Sequence, residues 1–592
     1  MKTFLVIRSR TLNAAMLLGL AGSALLHGAG ANLYLQHNLV SNIAGAADFT
    51  DPNLVDPWAI AFNAASPFWV SDHLSGKATI YSGNGTPSAT VVTIPAAGGA
   101  TTPGRPTGQV QNSSTAFVLA NGKAASFIFA TDDGTISAWN GGTVATVMVD
   151  NSNVSAVYKG LAINPSGPML YAANFRSGKI DVFSGTFSAT TVPGGFTDPN
   201  LPSGFAPFNI WALNGKLYVT YAKQDSAQFL DVAGAGNGFV DVFDFKGNLL
   251  NRLVSNGALN SPWGVAIAPA GWGAFGGNLL VGNFGDGTIN AFDVNTGNKL
   301  GSLQDANGNI ISIAGLWAIG FGNGGRGGDP STLYFTAGVP DGTTTPRGIL
   351  GSIAPPATIS AIFNGAGGES AAIAPGEIVA ITGQTVGPSP LVSAVLPVSG
   401  SVGSTVGTTS VTFNNLPAPV IYASAAQTAV IVPYGVAGST TASVVLKTGS
   451  QTTPAFSIPV AASVPGVFTS NASGAGSAVA FNQDGTVNSA TNPAVKGSVV
   501  VLFATGEGVT NPPGQDGLIA STDILREPVL PVTLSIGGVS AQVLYAGSSP
   551  GNVAGVMEVE AIVPAAAASG ADAVVLSVGT ATSQANVVVN VK

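Results

Sequence analysis

Asp72, Asp132, Asn174 and Asn283 stand at matching places in a strand–turn–strand pattern that recurs through the first half of the chain. Brought to one axis from different repeats, these four oxygen-bearing side chains would make a donor set for Ca²⁺, which takes about six to eight oxygen ligands. The same residue types also open Asx turns, in which the side chain bonds the turn's own backbone. Asp72-His73 has the composition of an acid–base couple. Neighbours on a strand face opposite sides, however, and meet only in a turn. No G-x-S-x-G elbow supplies a nucleophile. Asp132-Asp133-Gly134 begins like a calcium loop but lacks the spaced acids and the closing Glu. The glycine-rich residues 320–328 are not followed by a Lys-Ser/Thr pair, so they read as a surface loop and not as a phosphate cradle.

Scarcity limits the chemistry further. Cys is absent, which removes thiol nucleophiles, disulfides and thiolate-bound metals. His occurs only at His27, His37 and His73. No cofactor is therefore expected, Ca²⁺ excepted. Charged residues make up 8% of the chain and apolar ones 45%, with 79 Gly and 37 Pro. That punctuation argues against long helices, and the apolar alternation argues against disorder. The net charge of −8 and the lack of a basic, aromatic-laced run argue against a nucleic-acid partner.

Lys2, Arg8 and Arg10 precede an apolar run over residues 14–26 and then Ala29-Gly30-Ala31. Basic, apolar, then small predicts a signal peptide over residues 1–31, hence a secreted, cell-surface or periplasmic protein of a bacterium. The run is short for a membrane span, although an uncleaved anchor is the alternative. Ser9 breaks the twin-arginine pattern. No later stretch predicts a transmembrane segment, and the mature chain is expected to be a monomer.

The elements that must position these residues divide in two. Every Trp lies at or before Trp317 and every Glu at or after Glu369, with Pro355-Pro356 between them as a linker. In the first half, Asp56-Pro57-Trp58-Ala59-Ile60, Ser261-Pro262-Trp263-Gly264-Val265 and Gly315-Leu316-Trp317-Ala318-Ile319 repeat one segment. Weaker copies begin near Thr107, Lys159 and Asn209, at steps of about fifty residues. Each is followed by strand, tight polar turn and strand, as in LYAANFRSGKIDVF. Six such units over residues 32–356 predict a six-bladed β-propeller. The last unit runs short near Pro355, while residues 33–43 alternate ahead of the first. That leading segment is predicted to complete the last blade. Trp58, Trp263 and Trp317 share one register and are expected to pack between blades; a sugar platform at the channel mouth is the alternative.

The second half is duplicated. Residues 376–383 echo 497–506, Pro419-Val420-Ile421-Tyr422-Ala423 echoes Gln542-Val543-Leu544-Tyr545-Ala546, and Val430-Ile431-Val432-Pro433 echoes Ala561-Ile562-Val563-Pro564. Short alternating strands predict two Ig-like β-sandwiches, at 357–462 and 463–592, completing an all-β chain.

The propeller pattern resembles the NHL and SMP-30-like six-bladed propellers. Residues 38–353 more closely resemble an uncharacterised family of secreted bacterial propeller proteins, through Asn38-Leu39-Val40-Ser41-Asn42, Asp56-Pro57-Trp58-Ala59-Ile60, the residues 127–139 and Asn283-Phe284-Gly285-Asp286-Gly287. The region 357–592 resembles an uncharacterised C-terminal domain of secreted proteins of Solibacter and related acidobacteria, through GEIVAITG, PAPVIYAS and the final VVVNV. The resemblance implies the propeller fold and export. SMP-30-like lactonases hold their metal with a Glu/Asn/Asp set, which this first half, lacking Glu, does not reproduce. The reading is an exported, non-catalytic binding or scaffold protein for a protein or glycan ligand. A Ca-dependent hydrolase or lactonase with its site in the channel is the alternative.

Overall fold

A computed structural model describes residues 32–99, 103–164, 166–339, 347–368, 371–449 and 451–592. The expected signal peptide, residues 1–31, lies outside the described residues. The chain is all-β apart from short 3-10 turns, and it divides into two compact units, one ending at Pro355 and the other resuming at Pro356.

In the first unit, Pro57–Ala61, Pro106–Gln111, Tyr158–Asn164, Phe205–Leu213, Pro262–Ile267 and Leu316–Phe321 are the leading strands of six antiparallel sheets. Five of the sheets are meanders whose later strands follow in chain order, as in Pro57–Ala61, Phe68–Asp72, Lys77–Tyr81 and Val92–Thr93, and the sixth begins in the same way. The turns between strands depend on left-handed backbone. Gly178, at φ 70°, closes the turn from Met169–Asn174 into Lys179–Ser184. Each leading strand packs beside the next, and the sixth beside the first, so the order closes on itself. Many small sheets in such a cycle are consistent with a β-propeller.

All six leading strands slip register near their beginnings: between Pro57 and Ile60, Pro106 and Gln109, Tyr158 and Gly160, Pro207 and Asn209, Pro262 and Gly264, and Leu316 and Ile319. A bulge frees a residue from the ladder and re-aims its side chain. The freed residues include Trp58, Thr107, Lys159, Phe208, Trp263 and Trp317. The fourth of these is Phe208, one place before the Asn209 read from the sequence.

The sixth sheet is completed by the start of the described chain. Leu35–Ser41 runs antiparallel to Arg347–Ala354, and Phe49–Thr50 adds a short strand beyond it. Leu39 and Val40 are buried in this seam.

In the second unit, the sheet of Thr358–Asn364, Ile378–Gln384, Gln427–Ile431, Val420–Ala423 and Val392–Ser393 shares one core with the sheet built on Thr409–Phe413 and Thr441–Thr448. A ten-stranded sheet takes in Val499–Thr505, Met557–Ile562 and Gly570–Val578 around a second core. Ile378, Tyr422 and Ile431 join Phe468, Phe503 and Val556 in a third cluster, so the two halves of this unit pack together.

Deleting residues 33–43 removes the outer strand of the sixth sheet. The deletion is expected to cost about 4 kcal/mol or more of unfolding free energy through lost ladder bonds and burial. Urea denaturation of the shortened chain measures this, and an unchanged midpoint would contradict it.

Candidate functional site

The bulges send their side chains to the middle of the ring, as contacts between non-adjacent sheets show. Trp58 of the first sheet meets Trp263 of the fifth edge-on, with ring centres 6.2 Å apart, and stacks on Trp317 of the sixth at 3.5 Å. Phe208 of the fourth sheet lies 6.0 Å from Trp317. The indole N–H of Trp263 donates to the Lys159 carbonyl of the third sheet at 3.1 Å. The three tryptophans, expected to pack between blades, pack on one another across the axis, at 4%, 1% and 3% exposure.

A second layer lies against this one. In five sheets the residue just past the second strand, and in the sixth Gly338 within the second strand Leu333–Val339, donates its backbone N–H to the carbonyl of the residue just before the leading strand. These bonds run from His73 to Asp56, Asp132 to Arg105, Phe175 to Val157, Gln224 to Gly204, Phe284 to Ser261, and Gly338 to Gly315. Phe284 stacks on Trp317 at 4.0 Å, His73 lies 4.8 Å from Trp58, and Phe175 lies 5.3 Å from Phe208. Asp56, Ser261 and Gly315, at φ 51°, 48° and 69°, hold one left-handed position ahead of their leading strands. Asp tolerates that backbone, and here it also carries a carboxylate to the axis.

Strand register corrects one sequence expectation. Asp72, Thr131, Asn174 and Asn283 lie opposite Pro57, Pro106, Tyr158 and Pro262. Asp132 is thus one residue beyond the place held by Asp72, Asn174 and Asn283, and it matches His73 instead. A one-residue offset changes the face a side chain takes.

The three in register serve their own turns and neighbours. Asp72 accepts from the Thr79 hydroxyl at 2.8 Å, and burial pushes its carboxyl well above the usual range, against the anion a cation would need. Asn174 accepts from the backbone N–H of Val157 and Ser177 and donates to Asp181. Asn283 donates to the Ala258 carbonyl and to Asp286. Among the described residues, no hydrogen bond or ion pair joins any of these four predicted ligands to another. No group of three or more His, Cys, Asp or Glu there has the arrangement to hold a metal ion.

Asp132 belongs to a different cluster. His73 Nδ1 lies 2.9 Å from Asp56 Oδ2, and His73 Nε2 lies 2.9 Å from Asp132 Oδ2. A neutral imidazole has a single N–H, so two carboxylate partners require the imidazolium. Burial works against that charge, but the bonds to Asp132 and Asp56 outweigh it and raise the His73 pKa. Burial would also raise Asp132, yet the His73 bond and the charges of His73, Lys159 and Arg105 hold it below its ordinary value. Lys159 Nζ is 3.7 Å from Asp132 and sits over the rings of Trp58 and Phe229, at 5.2 and 4.6 Å. Burial lowers its pKa, opposed chiefly by Asp132 and then by Asp231. The indole N–H groups of Trp58 and Trp317 complete the Asp56 carboxylate, at 3.1 and 3.3 Å.

Asp56 and Lys159 are the members that sequence reasoning missed as chemistry, having read them only as register marks. Their signal was a charged side chain at repeat positions where the matching segments carry Ser, Gly or Trp. Chemically, two carboxyl groups and two basic side chains face one another here. Among the described residues His73 is the imidazole at the axis, and both of its nitrogens lie within hydrogen-bond distance of a carboxyl group.

Away from this end, a cavity of about 200 Å³ is lined by later residues of the first four leading strands, including Phe62, Gln109, Gln111, Asn209 and Trp211, and by Trp263. Among the described residues, no helix is long and apolar enough to cross a membrane.

Fold and site together define an all-β protein whose small sheets meet around a filled axis. No family model matches the chain. It is 32% identical over 328 residues to an uncharacterized protein of Acanthamoeba polyphaga mimivirus, covering 53% of this chain and 78% of that one. A second uncharacterized protein of the same virus is 30% identical over 328 residues, covering 53% and 84%. The chain belongs to the family of these two proteins, which are viral and not bacterial. Among solved structures, it is similar to a gluconolactonase of Xanthomonas campestris, at 14% identity and a TM-score of 0.26, covering 56% of this chain and 99% of that one. It is also similar to a streptogramin B lyase, at 12% identity and a TM-score of 0.31, covering 54% and 96%.

Replacing His73 by Gln or Lys159 by Met strands a buried carboxylate and is expected to cost about 3–5 kcal/mol of unfolding free energy. Folding favours protonated His73. Its contribution is therefore complete below the ordinary value of 6.5 and fades as pH rises through the raised folded value. Urea denaturation across pH should show wild-type stability falling along that limb and His73→Gln flattening it; equal slopes would contradict the imidazolium.

Millimolar calcium is expected to leave the melting temperature unmoved. Asn174→Ala should cost about 1–2 kcal/mol with or without the ion. A calcium-dependent shift that this variant abolishes would support the metal role instead.

Proposed function

We propose that this chain is an exported, non-catalytic binding protein in which a six-bladed β-propeller presents its ligand site and C-terminal Ig-like modules carry it. The observation that carries the reading is His73 held by both ring nitrogens, at 2.9 Å each, between Asp56 and Asp132. A general base needs an available lone pair, and His73, the axial histidine among the described residues, has both nitrogens committed to carboxyl partners. Lys159, the remaining basic side chain of the cluster, is buried against Asp132 and two aromatic rings. Six sheets in a closed order support the blade count.

Two matched strand pairings support a duplicated sandwich module. Ile378–Gln384 pairs with Gln427–Ile431 as Val499–Thr505 pairs with Met557–Ile562. The bulge at Ile421 recurs at its counterpart Leu544. The basic, apolar and small run before residue 32 supports export.

The test is a panel of lactones, phosphoesters and glycans, with and without Ca²⁺, followed by mass spectrometry of whatever is bound. The expected outcome is at least one retained ligand, recovered unaltered, and no turnover above buffer. Turnover that Asp72→Ala, Asn283→Ala or His73→Gln abolishes would overturn the reading in favour of a channel hydrolase.

A further inference from the structure

The second unit buries carboxyl groups where its two lobes, residues 358–460 and 464–592, meet. Both neighbours of Glu377, in the first lobe, touch the second. The Ile378 N–H donates to Thr505 Oγ1 at 2.8 Å, and a Cβ on Gly555 would overlap the Gly376 carbonyl. Glu377 itself is 0% exposed. The duplication supplies a comparison. Gly376 and Gly497 donate their N–H groups to the carbonyls of Val432 and Val563, and the carbonyls of Glu377 and Ser498 accept from the N–H groups of the same two valines. Ser498 thus holds the matching place in the second lobe, and there it is only half-buried. The first lobe carries a carboxyl at this place, and the second lobe covers it.

Glu507 enters the joint from the other side. Gly506 and Gly508, at φ 84° and 78°, turn the chain tightly around it. It is 3% exposed, and its Oε1 accepts from the Tyr434 hydroxyl of the first lobe at 3.3 Å. The Tyr434 N–H donates to Asp516 Oδ1 at 2.8 Å, and a Cβ on Gly514 would overlap the Tyr434 ring.

Among the described residues, no ion pair joins either carboxyl to a cation. Glu377 Oε2 accepts from the Ala374 N–H at 2.6 Å, and Asn364 is its other polar neighbour. Glu377 Oε1 and Glu507 Oε2 have no hydrogen-bond partner among the described residues. Around Glu507 stand Tyr434 and Tyr545, with Asp516, Glu527, Glu558 and Arg526 beyond them. Arg526, the cation of that set, donates to the Pro513 carbonyl. Burial pushes the Glu377 carboxyl well above the usual range and Glu507 up to about 7. Opening the joint to water would remove that cause.

We propose that the joint between the lobes is a proton-operated latch, which holds while Glu377 and Glu507 are uncharged and loosens as rising pH ionises them. The latch is independent of what the first unit binds. Its sign follows from linkage. The docked joint holds these protons more tightly than the open one. Its stability is therefore complete below the ordinary value of 4.5 and fades as pH rises through about 7, the Glu507 value, with Glu377 acting in the same direction.

Hydrogen exchange read by mass spectrometry on the full chain, at pH 5 and pH 8, tests it, each rate divided by the intrinsic rate at its pH. Peptides carrying the Ile378 and Tyr434 amides are expected to lose protection about tenfold or more at the higher pH. Peptides from Thr441–Thr448 and Gly570–Val578, inside the separate cores of the two lobes, are expected to keep theirs. The double variant Glu377→Gln, Glu507→Gln keeps both shapes and cannot ionise, and its joint is expected to stay equally protected at both pH values. If it fails to fold, Glu507→Gln alone decides, and is expected to lose less protection than the wild type. Equal wild-type protection at the two pH values would overturn the latch. So would a loss that the Gln variants share in full. A loss in the core peptides as large as at the joint would overturn it too, because whole lobes would then be responding.

Discussion

Six strands converging on one axis bring six side chains into a space where each must fit the other five. The bulge near the start of every leading strand sets this constraint, because it frees one residue per sheet from the ladder and turns it inward. Three indoles and Phe208 supply most of the volume. The contact between Trp58 and Trp317 also joins the first sheet to the sixth, where the chain must close on itself. The seam is therefore held twice: at its outer edge by Leu35–Ser41 on Arg347–Ala354, and at the axis by stacked aromatic rings.

The fifth and sixth places in that layer fall to Thr107 and Lys159. Thr107 turns its hydroxyl to the Tyr158 carbonyl of the neighbouring leading strand at 2.7 Å. Lys159 cannot be satisfied so locally. A buried ammonium needs an anion, Asp132 supplies it, and Asp132 in turn shares His73 with Asp56. One lysine among aromatic rings thus accounts for a chain of charges through the first three sheets, ending on the indole N–H of Trp317 in the sixth. Such a network is sensitive because every member depends on the others. Removing any one charge leaves another buried without compensation, at a larger cost than the intact set.

The repeat, the strand–turn–strand pattern and the leading strand that completes the last sheet were legible because they rest on local alternation and on recurring Trp and Gly. The echoed segments of the second half were legible for the same reason, whereas the matched bulges at Ile421 and Leu544 came only with the strand pairing. The site was less so. Asp132 looked equivalent to Asp72 because the two turns align well as text, whereas pairing places Thr131 opposite Pro106. The partnership of Asp56, His73, Asp132 and Lys159 spans three repeats, and no local pattern predicts which sheets are neighbours around a ring. His73 was weighed against Asp72, its neighbour in sequence, while its partners lie 17 and 59 residues away.

The two ends of the axis differ because consecutive residues of the same strands face different demands. Near the bulges, strand ends and turns bring in charged side chains, and close packing excludes water, so the charges must pair with one another. Farther along, the leading strands contribute small and apolar residues such as Ala59, Gly108 and Ala162, and the axis opens into a neutral cavity. Trp263 belongs to both regions: its N–H is spent on the Lys159 carbonyl, and it is among the residues that line the cavity. Packing that pairs the charges at one end of the axis thus goes with an uncharged lining at the other.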